Sequence, residues 1–313
     1  MSPDGSKDGV AWDGDGGRAV VFSGHESFPC RYGWLPKLYE EVKRDPKVFA
    51  NDDRAILALG LGRNMVKALR FWGGVFGLLS VDRGAASNTP FADRLFDPES
   101  GRDQYLEDVD SIWRLHWNVT VHGGLGAWVT AFLELQDIEV SRERLVDLVR
   151  NRAMTARGAI SSGTAAAHVD MLIKCYDFGR LSAVATGDEA LGCPLQELHL
   201  LETQAANGAV VVRLPRGRKP ELDVAAFAFA LRDFWIGTAP KSRSISMRSL
   251  LLDRRSPGTA FRLDETALYE KLEEVSSAAA GIELREDGAG GLELVARGSA
   301  FARELDRLAW PAR

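Results

Sequence analysis

The chain has 313 residues, 45% of them hydrophobic and 27% charged, with a net charge of -5 at pH 7 and a pI near 5.7. That length suits two or three small domains with soluble, globular composition. The acidic balance excludes a generally basic nucleic-acid coat, so any DNA contact must come from local cationic patches and must weaken with salt.

Three cysteines, Cys30, Cys175 and Cys193, lie far apart in sequence with no CxxC pair and no histidine at finger spacing. This argues against a disulfide framework and a structural zinc site, and makes a reducing cytoplasm the expected compartment. Met1 to Gly17 is polar and glycine-rich, unlike a signal peptide, and the apolar runs are too short and interrupted to span a bilayer.

Residues 1–20 are expected to form a disordered tail. Val21 to Val42, VFSGHESFPCRYGWLPKLYEEV, is broken by Ser23, Gly24, Pro29, Gly33 and Pro36, yet crowds His25, Glu26 and Arg31 among Phe28, Tyr32 and Trp34. An irregular loop of this kind either aims polar side chains at a ligand or clasps the first domain as a structural knot. Asp53 to Asp82 reads as a helix-turn-helix. A short apolar helix (Ala55, Ile56, Leu57, Leu59) meets Gly60-Leu61-Gly62, and a second helix opens at Arg63. On that helix Met65, Leu69 and Trp72 share the face to be buried, and Arg63, Lys67 and Arg70 stand nearly opposite. The apolar run from Val75 to Val81, with Asp82-Arg83-Gly84 behind it, leads into a hairpin wing. Such a cationic face suits phosphate, although solvated helices and protein-contact modules share the pattern.

Asp97 to Asp103 is a polar loop before a helix in YLEDVDSIWRLHW, residues 105–117, where Ile112, Leu115 and Val119 form a stripe with Trp113 and Trp117 beside it. His116 is expected to face elsewhere, with His122 shortly after. Glu107, Asp108 and Asp110 sit where carboxylates suit the helix dipole, or where one or two could hold Mg²⁺. Two amphipathic helices follow from Ala127 to Arg152, the second capped by Ser141, and then a small-residue linker and a helix from Thr164 to Tyr176. His168 and Asp170 on that helix are expected on a surface face. Leu195 to Leu201 suggests a short helix and Ala209 to Leu214 a strand ending in the basic turn RLPRGRKPE. The last third continues with helices over Asp223 to Trp235, Ile245 to Leu252 and Thr259 to Ser277. IELREDGAGGLELVA then alternates apolar and polar residues about a hairpin turn. The fold expected is mainly α with small β wings (α+β). Winged-helix units at residues 21–100 and 221–313 flank a helical middle at 101–220, and the sequence shows no repeat beyond the rough similarity of its two ends.

FSGHESFPCRYGW, LGLGRNMVKALRFW and YLEDVDSIWRLHW, in this order and spacing, resemble the SspB-like family of bacterial genomes. Its members sit beside a cysteine desulfurase and a sulfurtransferase-like partner in single-strand DNA phosphorothioation systems. The resemblance runs from about Phe22 into the C-terminal region. It implies a DNA-nicking endonuclease in a phosphorothioate-modification and anti-phage pathway, with DNA and the sulfurtransferase-like and ATPase components as partners and a homodimer left open.

No PD…ExK array, HNH block or GIY stretch marks a nuclease centre, so candidate residues follow from clustering. His25 is the candidate general acid or base, since imidazole titrates near neutrality. Glu26 would orient it or hold a metal, and Arg31 would clamp the phosphate through its planar fork. Asp108 is the candidate ligand for a divalent cation, Mg²⁺ or Mn²⁺. Candidate DNA contacts are Arg63, Asn64, Lys67, Arg70, Arg216, Arg218, Lys219, Lys241 and Arg243. The competing classes are a non-catalytic DNA-binding adaptor and a helix-turn-helix regulator.

Overall fold

The computed structural model describes residues 20–156, 158–178, 192–206, 208–288, 290–298 and 301–311. The expected tail at 1–20 lies outside these, apart from Val20, which is buried. Among the described residues no helix is long and apolar enough to cross a membrane.

The first elements form where local chemistry directs them. Helix α1 (Trp34–Arg44) precedes a short 3-10 turn at Val48–Ala50 and helix α2 (Asp52–Leu59). The side chain of Asn51 caps α2 by accepting from the Asp53 N–H at 2.8 Å. Gly60, at φ 62°, ends it in the left-handed conformation that favours glycine. Helix α3 (Arg63–Val75) follows, then strands β1 (Leu79–Asp82) and β2 (Ala85–Asn88) pair antiparallel. Arg83 and Gly84, both at positive φ, turn this hairpin.

Thr89 caps helix α4 (Pro90–Phe96), and Asp108 caps helix α5 (Val109–Trp117). A π-turn at Asn118–His122 extends α5, and helix α6 (Gly126–Trp128) runs on into another at Val129–Glu134. Strand β3 (Glu139–Ser141) leads to α7 (Arg142–Ala156), α8 (Ser162–Tyr176), a 3-10 turn at Pro194–Leu198, and the hairpin β4 (Glu202–Ala206) and β5 (Ala209–Arg213). Ser141 accepts from the Arg144 N–H at the start of α7, as expected. Next come α9 (Val224–Thr238), β6 (Ser244–Ser246), α10 (Met247–Leu252), α11 (Pro257–Ala260), α12 (Glu265–Ala278), the hairpin β7 (Ile282–Glu286) and β8 (Leu292–Ala296), and α13 (Phe301–Ala309).

The fold is therefore mainly helical with small antiparallel sheets, in the class expected. Two three-stranded sheets have the same topology, β3-β5-β4 and β6-β8-β7. In each, a short strand enters two main helices, a hairpin follows, and the leading strand pairs with the hairpin's second strand. The repetition in the middle of the chain was not legible, because a three-residue strand carries almost no periodicity of its own.

Helix α5 departs from its expected one-sided stripe, since every residue from Asp110 to Trp117 is buried, His116 included. It runs through the centre of the molecule, so its polar side chains find partners there. Arg114 pairs with Asp110 and donates to the Ala309 carbonyl at 2.6 Å. His116 Nε2 reaches the Ala260 carbonyl at 2.8 Å, and its Nδ1 lies 2.7 Å from the Tyr176 hydroxyl. Gly126 to Leu133 is likewise buried all round rather than amphipathic. Trp72, Trp113, Trp117, Trp128 and Trp235 are the largest side chains of this core. On α12 the outward residues include Glu265, Glu273 and Glu274.

Candidate nucleic-acid interface

Helix α3 is two-sided as its spacing predicts. Val66, Leu69 and Trp72 are buried, and the Trp72 indole donates to the Phe28 carbonyl at 2.9 Å, tying α3 to the loop before α1. Met65 is only partly buried, and Val66 takes the deeper place. Arg63, Asn64, Lys67 and Arg70 are exposed on the far side. Arg63 lies 3.6 Å from both Asp52 and Asp53, and Arg70 stands over the Phe49 ring at 5.7 Å. Ion pairs this long and this exposed contribute little, which leaves the guanidinium available to a stronger anion.

The loop at His25 is built differently from an open site. Gly24, at φ 118°, lies so close to Phe71 that an added Cβ would be 2.6 Å from its ring. Glu26 and Ser27 also take positive φ. This turn swings His25 inward to 6% exposure, where its Nδ1 accepts from the Ser27 N–H at 3.2 Å. Its ring stacks on His168, itself buried and not on the surface face expected of it. Burial, then the nearby Lys174 charge, lowers the His25 pKa, so the ring is neutral near pH 7. Glu26 is exposed, and Arg31 lies over the Trp34 ring at 5.8 Å. A neutral imidazole turned into the core does not face a phosphate arriving from solvent.

The basic turn after β5 is drawn into the structure. Arg216 is partly buried, 2.9 Å from the Gln136 side chain, Arg218 pairs with Glu270, and Lys219 donates to the Pro215 carbonyl at 3.1 Å. Burial lowers Lys219 to about 8, helped by the nearby Arg262. Arg262 is fully buried and donates to the carbonyls of Leu135, Asp137 and Leu214. Lys241 and Arg243 are exposed between α9 and β6.

Asp108 spends its carboxylate on the helix cap, accepting from the Asp110 N–H at 3.0 Å, with Arg102 at 3.7 Å. Among the described residues no three His, Cys, Asp or Glu side chains converge where a metal ion could sit. Among the described residues Asp108 is not part of such a group.

A different arrangement appears where the π-turn after α5 meets α9. His122 Nε2 lies 2.6 Å from Asp233 Oδ2, and the Trp117 indole donates to the same oxygen at 2.9 Å. Burial alone would raise the Asp233 pKa, but the hydrogen bond and charge of His122 and the Trp117 bond hold it below the usual carboxylate range. The pair lines a cavity of about 470 Å³ that Asp253, Arg254 and Arg255 also line. Arg254 is steadied by Glu134 at 3.4 Å, a carboxylate it shares with Arg152.

Residues 22–308 match the family described as protein of unknown function, DUF4007. The chain belongs to the DUF4007 family. No curated protein matches the sequence. Two solved structures are similar to this DUF4007 chain, a magnesium ion-bound SspB crystal structure and an SspB crystal structure. Each has a TM-score of 0.80 and 28% sequence identity, covering 93% of this chain and 89% of that one. The SspB-like resemblance read from the three motifs is thus shown.

Within the DUF4007 fold, His122 and Asp233 are 111 positions apart, and the sequence offers no spacing that joins them. The one local signal was a histidine just past a tryptophan-rich helix, His122 after Trp117. Its partner emerges only when α9 packs beside α5.

Proposed function

We propose that this SspB-like DUF4007 protein is a DNA-nicking endonuclease of a DNA phosphorothioate-modification and phage-defence pathway, acting in the cytoplasm. The observation that carries the reading is the likeness to SspB over 93% of the chain. The exposed cations of α3 support it, because an acidic protein needs a local patch to hold a polyanion. In this reading residues 21–100 and 221–313 are winged-helix units on either side of a helical middle. Arg63, Asn64, Lys67 and Arg70 take phosphates, with Arg218, Lys241 and Arg243 as secondary contacts. The loop at His25, Glu26 and Arg31 buttresses α3. The partners are DNA and the sulfurtransferase-like and ATPase components of the modification complex.

One observation favours a second reading, a non-catalytic adaptor that recruits that machinery to DNA: the motif histidine His25 is buried and stacked rather than open to a substrate. Purified protein incubated with supercoiled plasmid and Mg²⁺ or Mn²⁺, against a chelator control, decides between them. Conversion to open circle supports the nickase, and DNA binding without conversion supports the adaptor.

A further inference from the structure

The cavity between α5, α9 and the segment after α10 holds the one His–Asp hydrogen bond among the described residues whose imidazole is half exposed, at 51% for the His122 side chain. The Asp233 carboxylate accepts at one oxygen from both His122 and Trp117. An ionised carboxylate can only accept, so in the neutral form of the imidazole the proton sits on Nε2, which leaves the Nδ1 lone pair as a base. Asp253, Arg254 and Arg255 also line the cavity, and Arg255 is held at φ 68°, a backbone conformation disfavoured for residues other than glycine. Positive φ at a side chain that lines a cavity fits a residue whose direction matters more than its ease of folding.

We propose that this cavity receives a phosphodiester group. Arg254 and Arg255 hold its non-bridging oxygens, and His122, oriented by Asp233, is the general base. The proposal rests on the nicking reading above and gives it a site other than the His25 loop. Nδ1 of His122 takes a proton from water as the water oxygen bonds to phosphorus. The ester P–O bond breaks with its electron pair on the departing oxygen, which is protonated by the imidazolium or by solvent. No redox partner is needed, and Asp233 is a positioning residue that fixes the tautomer.

Two measurements on the full chain test this. In the first, inorganic phosphate is titrated into ¹⁵N-labelled protein while the His122 ring nitrogens are followed, assigned through His122→Gln. A saturable shift that disappears in an Arg254→Gln, Arg255→Gln double variant is expected. Asp233→Asn should change the His122 ¹⁵N signature toward mixed tautomers, which a merely structural aspartate would not do. In the second, His122→Gln, with an unaltered melting temperature, should nick supercoiled DNA at least ~100-fold more slowly, the usual share of a general base. No saturable response to phosphate, or a His122→Gln protein that nicks at the parental rate, overturns the proposal. A parental protein that leaves plasmid supercoiled defeats the nicking reading instead, and the phosphate titration then decides the cavity alone.

Discussion

His25 and His168 stack with ring centroids 5.7 Å apart and planes inclined by 14°. Neither ring nitrogen of His168 has a hydrogen-bond partner among the described residues, and burial depresses its pKa from 6.5 to about 3, with the His25 charge a lesser cause. His116 is likewise lowered by burial, to about 4. Below about pH 6.5 the unfolded chain binds protons on these rings that the folded chain refuses until pH reaches about 4 and 3, so stability falls as pH falls through that window. Thermal unfolding between pH 7.5 and pH 5 should show the melting temperature dropping by more than about 5 °C. His168→Phe should lessen that drop, and a pH-independent melting temperature in the parent would contradict the account.

The α3 cations give a prediction about salt. Replacing Arg63, Lys67 and Arg70 together by alanine should reduce the slope of log affinity for duplex DNA against log salt by about 0.9 for each phosphate no longer neutralised. Fluorescence anisotropy at several salt concentrations measures it. An unchanged slope would place DNA elsewhere on the protein.

Arg262 is predicted to be indispensable to the fold. Its guanidinium serves carbonyls from two distant segments, and its conversion to methionine would leave the buried Leu135 and Leu214 carbonyls without this donor. At about 1–3 kcal/mol for each unsatisfied group, a loss of at least ~3 kcal/mol is expected, read by chemical denaturation. A lysine should recover only part of it, because an ammonium lacks the planar fork.

Gly126 is predicted to tolerate no side chain. An alanine Cβ there would lie 2.0 Å from the Phe22 ring, which is itself buried. Gly126→Ala should cost about 1–3 kcal/mol through forced repacking, and Phe22→Leu in the same protein should return part of it.

The parts of this fold that were legible are those whose signals are local. Gly60 at a left-handed stop and Arg83-Gly84 at a turn announce the α2–α3 pair and the first hairpin within a few residues of each feature. Asp108 is ambiguous because the same carboxylate that caps a helix can also ligate a cation; one of its oxygens accepts the cap bond from the Asp110 N–H. His168 looked like a surface residue because nothing in α8 records that Phe22, His25 and Trp128 close over it. The pairing of His122 with Asp233 and the pairing of β3 with β5 depend on tertiary approach, and sequence spacing does not encode that.

Helix α12, which precedes the β7–β8 hairpin, differs sharply in sign from α3, which precedes the β1–β2 hairpin. Where α3 turns Arg63, Lys67 and Arg70 to water, α12 turns out Glu265, Glu273 and Glu274. A phosphate chain would be drawn to the first surface and repelled by the second. Two surfaces of opposite sign would orient an approaching polyanion before any close fit is made.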